Sequence, residues 1–158
     1  MNEPVTLTLT DEQATQALGA ALAEAFSGGG VVHLVGDLGV GKTTLARGLV
    51  HALGHEGAVR SPTFTLVEPY EALDPLVYHF DLYRLGDPEE LEMMGIRDYM
   101  EEGALVVIEW PERASSVLPA PACRVELVDL GNGRSARIHA HERVTRAVSH
   151  ALAGGSSS

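Results

Sequence analysis

The chain has 158 residues, 45% of them hydrophobic, with a single cysteine and a formal charge of −11. That length suits one domain with a real core, and a lone cysteine excludes an internal disulfide and a cysteine-based metal site. The charge argues against nucleic-acid binding through the overall field, which rests on Lys and Arg neutralising phosphates.

No apolar run approaches a membrane span, and no basic region followed by an apolar stretch opens the chain, so a cytoplasmic location is expected. The single domain is expected over 1–152, with a disordered Gly/Ser tail over 153–158.

Val5, Leu7 and Leu9 alternate with Thr6 and Thr8, which predicts a half-buried strand. Thr10-Asp11-Glu12-Gln13 reads as a capping box with Thr10 as the cap and Gln13 reaching back. A helix follows, with Ala14, Ala17, Leu18, Ala21, Leu22 and Ala25 on one face. Val31-Val32-His33-Leu34-Val35 is a strand of the kind buried on both faces.

That strand leads into Gly36-Asp37-Leu38-Gly39-Val40-Gly41-Lys42-Thr43 and then Thr44, a match to G-x-x-x-x-G-K-[ST]. Gly36, Gly39 and Gly41 allow backbone conformations that a Cβ forbids and close approach to phosphate oxygens. Loop N–H groups form an anion nest, and a helix starting near Lys42 adds its positive end. Lys42 supplies a charge for the β- and γ-phosphates, and the Thr43 hydroxyl is the expected Mg²⁺ ligand. Leu45, Leu49, Ala52 and Leu53 continue as a helix that Gly54 stops.

Ser61 to Val67 contains Pro62 and then alternates Thr63, Phe64, Thr65 and Leu66, which predicts a strand. Thr63 is a candidate γ-phosphate and Mg²⁺ sensor; a strand threonine bonded to its own backbone is the plain alternative. Leu76 to Arg84 is the next strand, with Tyr78, Phe80 and Leu82 on one face and Val77, His79 and Asp81 on the other. Asp81 stands where ligands bind in an α/β sheet, and is a candidate to position Mg²⁺ or water; pairing with Arg84 or a loop donor is the alternative.

Asp87-Pro88-Glu89-Glu90 starts a helix with a capping box, and Gly95 breaks it before a further turn over 96–100. Glu89, Glu90, Glu92, Glu101 and Glu102 form an acidic face, solvated or docking. Ala104 to Glu109 is a buried strand ending in an acid, the Walker B pattern, with Glu109 expected to help hold Mg²⁺. Trp110, the only tryptophan, follows as core or interface.

Two strands around Gly131-Asn132-Gly133 predict a hairpin, and Val144, Ala147, Val148, Ala151 and Leu152 a last helix. His51 with His55, and His139 with His141, lack a supporting acid at ligand spacing. These elements predict an α/β, P-loop NTPase-like three-layer sandwich with a mostly parallel central sheet and a C-terminal β-hairpin.

Five stretches in this order, Gly36–Thr44, Ser61–Tyr70, His79–Leu85, Leu91–Tyr99 and Ile108–Glu112, together resemble the TsaE (formerly YjeE) family. The resemblance is strong from about Val31 to Glu112. It implies an ATPase that binds ATP and Mg²⁺ and hydrolyses slowly alone. It also implies action with TsaD and TsaB, and with TsaC supplying threonylcarbamoyl-adenylate, to modify adenosine 37 of ANN-decoding tRNAs. The tRNA is then held by the partners. The family's roles carry over to Lys42 (phosphates), Thr43 and Glu109 (Mg²⁺), and to Asp81 and Thr63; Thr10 and Glu12 are the candidates for adenine contacts. A small-molecule kinase and a nucleotide-gated binding module are the competing readings. No Arg-rich lid segment favours a kinase.

Overall fold

A computed structural model describes residues 3–100 and 103–156. Strands are β1 (Val5–Leu9), β2 (Gly30–Val35), β3 (Val67–Tyr70), β4 (Val77–Asp81), β5 (Leu105–Glu109), β6 (Cys123–Asp129) and β7 (Arg134–Ala140). Helices are α1 (Glu12–Ala25), α2 (Lys42–Ala52), α3 (Glu89–Met93), α4 (Ile96–Tyr99) and α5 (Glu142–Ser156), with a 3-10 turn over Pro111–Ala114.

The strands form one sheet in the order β1-β7-β6-β2-β5-β4-β3. Its centre, β6-β2-β5-β4, is parallel, and antiparallel partners close both sides. Parallel strands carry helices on both faces, so they must be apolar on both, and all five residues of β5 are buried.

Val32, Leu34, Leu105 and Val107 face a layer built with Leu18, Leu22, Leu45 and Leu49 of α1 and α2. Phe80, Leu82, Val106 and Ile108 face the opposite layer, with Leu91, Ile96 and Ala114. Three layers result, as expected for a P-loop NTPase-like α/β fold. The lone Cys123 is buried in β6, and burial pushes its thiol up to about 12.

Three local expectations need correction. Asp11, not Thr10, caps α1: its carboxylate accepts from Ala14 N at 2.8 Å while its own backbone is extended. Both residue types cap well, so only the exact start of the helix separates them. Residues 61–66 are not a strand. The Pro62 carbonyl accepts from Leu66 N at 2.8 Å, and Leu66 has φ 69°, so the chain turns before β3 begins. The alternation of Phe64 and Leu66 therefore does not mark a buried face, and Phe64 is 86% exposed. Finally, α5 takes in the first four residues of the expected tail, because each added helical residue gains a bond once the helix exists. Ser157 and Ser158 lie outside the described residues, as do Glu101 and Glu102 of the acidic face.

The capping box at α3 forms as expected, with Glu89 N donating to Asp87 Oδ1 at 2.9 Å and Asp87 N to Glu90 Oε1 at 3.1 Å. The hairpin also forms: β6 and β7 pair in register from Cys123–Ala140 to Asp129–Arg134. Among the described residues no helix is long and apolar enough to cross a membrane.

The position of α2 depends on two glycines inside helices. A Cβ on Gly19 of α1 would lie 2.1 Å from the Leu45 carbonyl oxygen, and one on Gly48 of α2 would lie 2.2 Å from that of Gln16. Backbone cannot yield as a side-chain tip can. Gly19→Ala is therefore expected to destabilise the fold by about 3 kcal/mol, the upper end of typical overpacking costs, although Ala is the better helix former. Urea unfolding should show a lower midpoint at unchanged m-value.

Candidate functional site

The site begins where β2 ends. Gly36 follows at φ 152°, and a Cβ there would meet the Leu127 carbonyl oxygen at 2.6 Å. Gly41, left-handed at φ 112°, turns the loop into α2, which starts at Lys42. The loop is also held from outside its own unit: Arg134 of β7 donates from Nε to the Val40 carbonyl at 2.6 Å.

Lys42 is buried, with its ammonium donating to the Gly36 carbonyl at 2.6 Å. Its Nζ also lies 3.6 Å from the centroid of the Trp110 ring, a cation–π contact. Burial lowers the Lys42 pKa, against the opposing pull of Glu109, Glu112, Asp81 and Asp37. A charge so desolvated, with a carbonyl as its hydrogen-bonded partner among the described residues, would gain from a nearby anion.

Sheet register supplies the opposite sign. Glu109 pairs with Leu34 on one side and with Asp81 on the other, so both acids emerge at the carboxyl edge beside the loop. Both are buried. The Thr43 hydroxyl donates to Glu109 at 3.2 Å for Oε2, and His79 Nε2 lies 2.7 Å from the same oxygen. Asp81 accepts from the Ser61 hydroxyl, from the Thr63 hydroxyl at 3.1 Å, and from Tyr83 N at 2.9 Å. These bonds moor the 61–66 turn to β4, and none of Asp81's partners is Arg84.

A cavity of about 250 Å³ brings Lys42, Thr43, Thr44, Thr63, Asp81 and Glu109 together, with Leu38, Gly39 and Gly41 on its rim. Thr10 and Glu12 do not reach it. They line an adjoining cavity of about 330 Å³ with the 131–134 turn, and the two cavities share Gly39, Gly41 and Thr44. Gly36, Asp37 and Val40 border a third hollow, against β6.

Sequence reasoning missed His79 and Ser61 beside the acids and Arg134 behind the loop. Period-2 alternation places His79 on the Asp81 face, which was a usable signal. Arg134 had none, because only the folded hairpin brings it to Val40. The histidine pairs lie elsewhere: the His51 and His55 rings stack at 6.0 Å, and His139 pairs with Glu126 at 2.7 Å.

Trp110 is half-buried in a left-handed conformation at φ 60°, uncommon for a bulky residue and a form of strain found at functional sites. Its ring contacts Lys42 and also Tyr83, whose ring centroid is 5.0 Å away.

A family model described as "Threonylcarbamoyl adenosine biosynthesis protein TsaE" matches residues 9–137. Relatives carry the name "tRNA threonylcarbamoyladenosine biosynthesis protein TsaE". One from Haemophilus influenzae is 57% identical over 89 residues, 56% of this chain and 56% of that protein. One from Rickettsia conorii is 38% identical over 128 residues, 80% of this chain and 73% of that protein. The match to the Haemophilus protein thus spans little more than half of its length. The crystal structure of Bacillus subtilis YdiB superimposes with a TM-score of 0.70 at 25% identity, covering 99% of this chain and 98% of that one.

The Lys42–Trp110 contact gives the site its own reporter. A phosphate chain that takes the ammonium will draw it off the ring, so titration with inorganic tripolyphosphate should change Trp110 emission. Lys42→Met should show no such change. An unchanged wild-type spectrum would mean that Lys42 stays on the ring.

Proposed function

The chain belongs to the TsaE family, and on that premise we propose that it is a P-loop ATPase serving tRNA threonylcarbamoyladenosine synthesis with TsaD and TsaB in the cytoplasm. One observation carries the ATPase reading. A desolvated ammonium, the N-terminus of α2, a threonine hydroxyl and two buried acids converge on one cavity.

The residues fit a magnesium nucleotide. Thr43 and Glu109 offer hard oxygen donors within 3.2 Å of each other, and Mg²⁺ needs only one or two protein oxygens besides phosphate. When bound, the ion supplies charge neutralisation at the β- and γ-phosphates. Lys42 exchanges the Gly36 carbonyl and the Trp110 ring for phosphate oxygens. Loop N–H groups and the start of α2 hold the chain of phosphates. Asp81, oriented by Ser61, Thr63 and Tyr83 N, positions the attacking water. Thr10 and Glu12, which line the adjoining cavity, would meet the nucleoside.

The partners supply what this chain lacks. Its charge of −11 suits holding tRNA through TsaD and TsaB rather than directly. Phosphoryl transfer also calls for positive charge beyond Mg²⁺ and the loop lysine, often an arginine in trans. The 61–66 turn presents Phe64 at 86% exposure, and Leu38 on the loop is 64% exposed, so the segments that line the site carry exposed apolar side chains for docking.

Thr43→Ala and Glu109→Ala should each reduce Mg²⁺-dependent ATP hydrolysis by more than about 100-fold, since even outer-sphere partners of a metal ligand are worth 10–100-fold. Unchanged Mg²⁺ dependence in Glu109→Ala would make Asp81 the better ligand. With purified TsaD and TsaB, the wild-type ATPase rate should rise and tRNA modification should proceed, and Trp110→Ala should respond less in both assays. A wild-type rate that partners leave unchanged would overturn the docking reading while leaving the nucleotide site intact.

A further inference from the structure

Glu109 is a longer acid than the aspartate that commonly ends this strand in P-loop proteins. Its extra methylene adds a torsion, and a freely rotating carboxylate is a poor ligand for an ion that demands near-ideal geometry. Something must hold it.

His79 is placed to do so. It is fully buried on β4, two residues before Asp81 and on the same face of the strand. It is opposite Val107 in register, which sets it diagonally across from Glu109 on the α2 side of the sheet. Its Nε2 lies 2.7 Å from Glu109 Oε2. A carboxylate only accepts, so Nε2 carries the hydrogen and donates it. Among the described residues, Nδ1 is buried with no hydrogen-bond partner.

The Thr43 hydroxyl meets the same carboxylate from the loop side, 3.2 Å from Oε2 and 3.5 Å from Oε1. Oε2 is thus tied by histidine, while Oε1 has only the longer threonine contact. Asp81 has its own donors in Ser61, Thr63 and Tyr83 N, so His79 serves Glu109 alone of the two acids.

We propose that His79 is a positioning residue for metal binding: its Nε2–H bond to Glu109 Oε2 locks the carboxylate so that Oε1 is presented to the nucleotide-bound divalent ion. This rests on the magnesium-nucleotide reading above. It adds that the histidine strand beside the Walker B strand sets metal affinity without touching metal or nucleotide.

Two variants test it. Leu at this position keeps the buried volume but has no donor, whereas Gln places an amide N–H close to where the imidazole Nε2 stands. Mn²⁺ binding is followed by electron paramagnetic resonance with a non-hydrolysable ATP analogue, and nucleotide affinity is measured separately in EDTA. His79→Leu should weaken Mn²⁺ binding about tenfold, the lower end for an outer-sphere partner of a metal ligand, with metal-free nucleotide affinity unchanged. His79→Gln should recover most of the loss.

Wild-type Mn²⁺ affinity in His79→Leu would overturn the proposal, and so would a folded His79→Gln as weak as His79→Leu. Wild-type protein that binds nucleotide but no Mn²⁺ would overturn both this role and the metal reading of Glu109. Should neither variant fold, the wild-type ring decides. The His79 ring ¹⁵N signals must shift when Mg²⁺ is added to the nucleotide complex, and signals that stay fixed overturn the proposal.

Discussion

Asp81 and Glu109 are register partners on adjacent parallel strands, and both are nearly excluded from water. Two carboxylates so placed repel each other and lose hydration, so each needs its own compensation. Asp81 receives two hydroxyls and a backbone N–H; Glu109 receives a hydroxyl and an imidazole. Lys42 adds positive charge that interacts with both acids, but its polar bond goes to a carbonyl. The balance is left short of positive charge on the acid side and short of negative charge on the lysine side. A divalent cation bound together with a phosphate chain would relieve both deficits at once.

The scaffold positions these groups by close packing. Gly19 and Gly48 let α1 and α2 approach until backbone nearly touches backbone, which fixes the direction from which α2 meets the sheet edge. Arg134 ties the outer side of the loop to the C-terminal hairpin. The hairpin, uninformative as a motif, is thereby part of the site's support: β6 lies against β2 on the side opposite β5, and β7 carries the arginine. On the other side, the 61–66 turn is moored through its hydroxyls to Asp81, so the bonds that orient the acid also hold a segment that lines the cavity.

Trp110 is held where strain and packing oppose each other. A left-handed backbone for a bulky residue costs roughly 1–3 kcal/mol, and the ring recovers part of that against Lys42 and Tyr83. Were a phosphate chain to draw Lys42 away, that contact would be lost. Trp110 directly follows the buried Glu109 in sequence, so the ring that covers Lys42 stands next to that acid. Phe64, with the Arg84 guanidinium 4.9 Å over its ring, stands exposed on the neighbouring turn.

By itself, the amino-acid sequence determined the features that local chemistry dictates. These are the glycine loop with its lysine and threonine, the apolar strands that must be buried on both faces, the acids at strand ends, the α3 capping box and the hairpin turn. Each depends on residues a few positions apart, where backbone preference and periodicity decide the outcome. Where two local solutions were nearly equal in energy, the sequence did not choose: Asp11 and Thr10 are both good caps, and the alternating residues of 61–66 could pair as a strand or close as a turn. Tertiary structure chose there, through the start of the helix and through the mooring of the turn to Asp81. It alone decided the contacts that join distant segments: Glu109 with His79, Lys42 with Trp110, and Val40 with Arg134. Hydrogen bonds and charge contacts of that kind depend on register between strands and on the approach of one layer to another, and no period along the chain encodes either.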